Sequence, residues 1–233
     1  MSRNLDSFLP KSEMTPMDVG NPFIWMDASD TAHRVLNNNN EVVGFFDKGR
    51  VGTYFGQQVP GAASHPSVKM LGNRSAFTTT AINGFKSTIA LPLPLTEVTM
   101  FFVYDDNDGT LLETESEGLV VSDAAITVGS ATGAAPAKLS DADPHILMVH
   151  WDAVSGQLYY KFDEDAKVLL ATNTTRLSVA GEVVYVMNTD GANNGVTGAV
   201  GEVIVFPTRL QDFQINRVGK YLCTKWNGLW SDV

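Results

Sequence analysis

One cysteine, Cys223, is all the chain offers to thiol chemistry, and that count excludes an intrachain disulfide. It falls beside the apolar stripe of a helical segment, where a structural thiol is expected. Positive charge is scarce too. The 16 Lys and Arg face 26 Asp and Glu, for a formal net charge of -10, which argues against a nucleic-acid partner. No apolar run reaches membrane-span length, and the first residues lack the hydrophobic stretch of a signal peptide. The expectation is a protein made in a cytosol, without a cleaved signal and without a membrane partner. His33, His65, His145 and His150 share no ligand spacing. Neither a glycine-rich phosphate loop nor a Gly-x-Ser-x-Gly elbow occurs. These absences leave no expected metal, cofactor or catalytic residue.

What is present is ordinary globular material: 44% hydrophobic and 18% charged residues over 233 positions, enough for a substantial core. The clearest element lies near the end. An apolar run, Val203 to Phe206, breaks at Pro207, and Ile215, Val218, Leu222 and Trp226 then recur at spacings of three and four. That spacing predicts one amphipathic helix over about 210–226. Nothing else reads as helix.

The organisation expected is an extended arm, residues 1–21, followed by one domain, residues 22–233. The arm shows neither helix nor strand period and is punctuated by Pro10 and Pro16, with Pro22 just beyond. It nevertheless carries Leu5, Phe8, Leu9, Met14 and Met17, residues expected to grip a surface, its own or a neighbour's.

From Phe23 onward, short β-type runs alternate with turn clusters. Glu97–Tyr104 and Thr110–Glu113, separated by Asp105-Asp-Asn-Asp-Gly109, carry a hairpin signal, as do Ile146–Trp151 and Gln157–Phe162. Residues 129–144 read as a long surface loop. Several runs are apolar on both faces, which implies sheets covered on both sides, and ten to fourteen such strands fit a jelly-roll β-sandwich.

Five segments in order carry a resemblance. They are Trp25-Met-Asp-Ala-Ser-Asp30, Val43-Gly-Phe-Phe-Asp-Lys-Gly49, Thr99-Met-Phe-Phe-Val-Tyr104, the hairpin His145 to Asp163, and Gly201 to Phe206 with Lys220 to Trp226. Together they resemble the concanavalin A-like, laminin-G-type jelly roll often found in phage and bacterial surface proteins. The resemblance covers roughly residues 22 to 230, leaving out the arm, and implies a concanavalin A-like jelly roll. With the arm and the terminal helix read above, the expected fold is an all-β sandwich with an extended N-terminal arm and one C-terminal helix. Its members include carbohydrate binders, glycan-cleaving enzymes and structural virion modules. The paired acidic motif of the hydrolysing members, Glu-x-Asp-x-x-Glu, is absent.

Three expectations of function follow. The first is a non-enzymatic bacteriophage virion protein that decorates or cements a capsid. It would be made in a bacterial cytoplasm and held on the major capsid protein or another virion subunit by its arm, as a homo-oligomer for which a trimer is plausible. The second is a carbohydrate-binding tail-fibre or adhesion module for surface glycans, with Trp230, Tyr54 and Tyr159 as available aromatics. The third is a glycosidase, for which Glu113, Glu115 and Glu117 alternate on one stretch but lack a flanking sugar platform. Asp190, Asn193 and Asn194 form a further candidate ligand loop, for calcium or sugar hydroxyls. Asp105 to Gly109 lacks the EF-hand order and reads as a turn.

Overall fold

The computed structural model describes residues 14–50, 52–58, 65–79, 83–90, 97–106, 108–116, 118–136, 140–172, 181–189 and 194–233, with 140–142 described in backbone only. Among these, two antiparallel sheets pack face to face and one long helix covers the outer face of the first.

Sheet A is built on long apolar strands. Its order runs β15 (Val168–Thr172), β14 (Gln157–Phe162), β13 (Ser140–Asp152), β8 (Val98–Asp106), β17 (Ala199–Phe206), β6 (Arg74–Thr78) and β5 (Ser67–Leu71). The short β1 (Ile24–Asp27) pairs with β17 alone. Sheet B runs β12 (Ala131–Ala134), β11 (Ala125–Val128), β10 (Leu119–Ser122), β9 (Thr110–Thr114), β16 (Val184–Val186), β7 (Phe85–Ser87), β4 (Tyr54–Gln57), β3 (Val42–Phe46) and β2 (Arg34–Leu36).

Side chains alternate across a strand, so β8 shows why its sequence is apolar throughout. Val98, Met100, Phe102 and Tyr104 point into the core shared with sheet B, beside Leu147, Val149 and Val205. Phe101 and Val103 point the other way, with Ile146, Met148, Ile204 and Phe206, toward the helix α2 (Asp212–Trp226). Ile215, Val218, Leu222 and Trp226 are all fully buried on that face. Each contributes about 1.5–3 kcal/mol by leaving water. The helix begins where Gln211 donates its N–H to the Gln214 side chain (2.9 Å) and ends at left-handed Asn227. Two glycines permit the close seating. A Cβ on Gly201 would stand 2.7 Å from the Trp226 ring, and one on Gly219 would overlap the ring of Trp230.

The expected all-β jelly-roll sandwich with one terminal helix is the architecture found. Three local expectations need correction. β8 and β9 do not form a hairpin; they lie in different sheets. Asp105 explains the crossing, because its carboxylate takes the Ala199 N–H (2.5 Å) and Lys69 Nζ (2.8 Å), tying that corner to β17 and β5. Residues 129–144 are not a bare loop either: Ala131–Ala134 adds an edge strand to β11. Finally, residues 14–21 are not without regular structure. Thr15 donates to the Asp18 carboxylate (2.8 Å), and Met17–Gly20 makes one helical turn, α1, against α2.

That turn is held by the molecule itself. Gln214 Nε2 donates to the Val19 carbonyl (2.9 Å), and Val19 packs on the core beneath α2. Met14 is half-buried and Met17 is exposed. Leu5, Phe8 and Leu9 lie outside the described residues.

Beneath the C-terminal half of α2 sits a largely buried ionic knot. Glu202, at 0% exposure, accepts from Trp25 Nε1 (2.6 Å) and Tyr221 Oη (3.1 Å) on one oxygen, and from Lys225 Nζ (2.7 Å) and Trp226 Nε1 (2.7 Å) on the other. Lys225 also pairs with Asp27 (2.7 Å), and Asp27 with Lys48 (2.9 Å), which reaches Asp30 (2.8 Å) and lies 4.4 Å over the Trp25 ring. Every donor and acceptor that Glu202 needs is supplied, the condition under which a buried charge is tolerated.

Candidate functional site

α2 is shorter than the sheet it covers. Beyond its N-terminus the outer face of β13 and β14 is left open, and a cleft of about 210 Å³ forms there. Strand alternation brings the chemistry: His150 and Asp152 on β13 stand opposite Tyr159 and Gln157 on β14, all on the helix side. Arg209, Gln211 and Asp212 close the rim from the β17–α2 link, and Lys167 from the segment before β15.

The groups are held in pairs. Arg209 Nη1 meets Asp152 Oδ2 at 2.9 Å, and the other oxygen of Asp152 accepts the Val154 and Ser155 amides (2.9 and 3.3 Å). Lys167 bonds Asp212 (3.0 Å) and lies 5.3 Å over the ring of Tyr159, whose hydroxyl donates to Gln157 (2.5 Å). At the floor, the Thr99 hydroxyl donates to the Thr208 carbonyl and accepts the Leu210 amide, both at 3.1 Å. Its only proton is thereby used. The 3.1 Å contact with His150 Nδ1 then needs the hydrogen on the imidazole, which leaves Nε2 as an acceptor.

Burial, reinforced by the charges of Lys167 and Arg209, pushes His150 down to about 4, so it is neutral at physiological pH. Burial alone would raise Asp152. The Ser155 and Val154 hydrogen bonds and the Arg209 charge outweigh it and hold the carboxyl below its ordinary range. A glycosidase needs one carboxyl kept protonated near neutrality. Asp152 is tuned the opposite way.

Of the aromatics singled out in the sequence, Tyr159 lies in this cleft. Tyr54 is elsewhere, on the outer face of sheet B beside exposed Phe46, with ring centroids 5.2 Å apart. Trp230 packs on Gly219 and under Lys161 (4.7 Å), as part of the seat of α2. Glu113 is buried on β9, Glu115 lies past the strand end, and Glu117 is outside the described residues, so among the described residues no two of these carboxylates share that strand. Asp190 and Asn193 are also outside them. Asn194 bonds Thr110 Oγ1 (3.0 Å) and braces the loop between the sheets. Cys223 is half-buried, its thiol donating to the Gly228 carbonyl (3.1 Å). Among the described residues, no group of three His, Cys, Asp or Glu side chains could hold a metal ion.

Sequence reasoning missed His150, Asp152 and Arg209 as partners. The available signal was the appearance of His150 and Asp152 on the side of β13 that is otherwise apolar at Ile146 and Met148, since a buried polar residue needs an explanation.

Comparison with known proteins supports the architecture. No family model matches the chain, and no curated protein matches it by sequence. Solved structures do. An arabinofuranosidase in complex with arabinofuranosyl-alpha-1,2-xylobiose superposes over 94% of this chain and 66% of its own, with 11% identity and a TM-score of 0.58. A GH54 α-L-arabinofuranosidase superposes over the same shares with 10% identity and a TM-score of 0.61. The chain thus spans about two thirds of these enzymes. Domain 4 of AbnA, a GH43 arabinanase from Geobacillus stearothermophilus solved with arabinotriose, superposes over 85% of this chain and 98% of that domain. There the identity is 10% and the TM-score 0.54. At such identities the likeness establishes a shared β-sandwich of the lectin-like jelly-roll kind.

Proposed function

We propose that the protein is a non-catalytic carbohydrate-binding module and that the cleft beside the α2 N-terminus receives the sugar. The observation that carries this reading is the combination in one opening of an aromatic ring, Tyr159, with a preorganised Asp152–Arg209 pair, Gln157 and a neutral imidazole acceptor. Sugars present hydroxyl donors and acceptors around an apolar ring face, and such a mixed lining answers both. The likeness to a domain solved with arabinotriose supports an oligosaccharide ligand, arabinose-containing chains being the first to try.

Titration calorimetry against arabino- and xylo-oligosaccharides, preceded by a glycan array, tests the reading. Saturable binding is expected, weakened at least about tenfold (~1.4 kcal/mol) by Tyr159→Ala and by Arg209→Ala with the fold intact. Absence of binding to any glycan, or binding indifferent to both substitutions, sinks it. The virion-decoration reading rests on the leading residues, and co-sedimentation with expanded phage shells tests it. Capture of the full chain, lost on deletion of residues 1–20, would favour that role over glycan recognition.

A further inference from the structure

The ionic knot under α2 contains more than a salt bridge requires. Asp27 and Glu202 stand directly opposite each other on β1 and β17. Lys225 descends between them from the last turn of α2, its Nζ 2.7 Å from an oxygen of each. The site is buried: side-chain exposure is 5% for Asp27, 0% for Glu202 and 11% for Lys225. Trp25, Tyr221 and Trp226 line it, each within hydrogen-bond or cation–π reach of these groups. An amine, a carboxyl carbon and a second carboxylate able to carry a proton are thus locked in contact, away from water. These are the components of an amide condensation.

We propose that Lys225 and Asp27 join in an intramolecular isopeptide bond, with Glu202 as the catalytic proton carrier. The Lys225 ammonium passes one proton to Glu202. The freed lone pair of Nζ attacks Cγ of Asp27, forming the C–N bond, while the Lys48 ammonium, 2.9 Å from Asp27 Oδ2, faces the negative charge that develops on oxygen. Glu202 returns its proton to one carboxyl oxygen. That oxygen takes a second proton from the nitrogen, the C–O bond breaks, and one water leaves. A carboxylate and an ammonium become an amide and water; no oxidant, metal or cofactor enters. Fixing the two groups in contact supplies the effective concentration that such a condensation lacks in free solution. Burial favours the neutral carboxyl of Glu202, as the carrier role needs.

Lys48 is the less suitable nucleophile. It is more exposed (18%), is held by Asp30 as well, and makes no contact with Glu202 among its bonds. Glu202 is the less suitable electrophile, because four donors pin both its oxygens, whereas Asp27 takes Ser29 and the two lysines.

Intact mass spectrometry of the denatured full-length chain decides the matter before any variant is made. The wild type is expected lighter than its composition by one water, and a peptide digest should yield one branched species carrying Asp27 and Lys225. Lys225→Arg and Glu202→Gln are expected at their full composition mass, with the melting temperature lowered. A wild-type chain at full mass overturns the proposal. A water loss mapped to any other pair or to a cyclised aspartate does so equally, as does one that persists in Lys225→Arg.

Discussion

The two ends of α2 handle charge in opposite ways, although both meet the same face of sheet A. At the C-terminal end, Asp27, Glu202, Lys48 and Lys225 share partners in a continuous network that is largely buried. At the N-terminal end, Asp152–Arg209 and Lys167–Asp212 are separate pairs on an open rim, and Asp212 is 65% exposed. A shared buried network has no substitute for a missing member, whereas a hydrated pair does. One end therefore fixes the helix and the other remains available to a ligand.

Substitution of matched lysines puts the contrast to its strongest test. Lys225→Met strands two buried carboxylates and is expected to cost about 3–5 kcal/mol in urea unfolding, more if it also removes a cross-link. Lys167→Met, at the rim, should cost within about 1 kcal/mol. Equal losses would break the comparison.

A pH series sharpens it next. His150, in the cleft, is held at about 4 against 6.5 for an ordinary imidazole, so between those values the unfolded chain binds more protons. Its contribution is whole above pH 6.5 and is lost as pH falls through 4. Asp47, which braces the knot by accepting the Trp25 amide, behaves inversely. Burial pushes it up to about 6 despite several backbone donors, so its contribution is whole below about 4 and lost as pH rises through 6. Each is worth on the order of 3 kcal/mol, and the two slopes oppose. These two contributions therefore nearly cancel each other from pH 4 to 6. Relative to wild type, His150→Gln should tilt the profile downward with rising pH, and Asp47→Asn should tilt it upward. Profiles parallel to wild type in both variants would refute the assignment.

The smallest effect is reserved for the other aromatic surface. Tyr54→Ala, on the outer face of sheet B, should leave glycan affinity unchanged and shift stability by only about 1 kcal/mol. A loss of affinity there, with Tyr159→Ala silent, would move the binding site to sheet B.

How legible all this was depends on how local the cause is. The α2 stripe and the double-faced strands of sheet A were readable because burial imposes a period on neighbouring residues, and β8 carries it on both faces. The Asp105–Gly109 turn misled because its local chemistry is that of a hairpin, while the sheet it joins is chosen by the distant contacts of Asp105 with Ala199 and Lys69. The knot was within reach: Glu202 interrupts a strand otherwise wholly apolar from Val200 to Phe206, apart from Gly201, and a buried acid demands a cation. The cleft was less so. Of its members only Tyr159 was singled out, since Thr99, His150 and Arg209 converge through register rather than sequence order.

Among the described residues β1 has one strand neighbour, β17, and the Trp25–Glu202 bond spans 177 positions. During synthesis, Phe23, Ile24, Trp25 and Met26 emerge long before their β17 partners, with the nearby contacts of Trp25 to Asp47 and Lys48 available early. Sealing of the sandwich is then a late, slow event of high contact order.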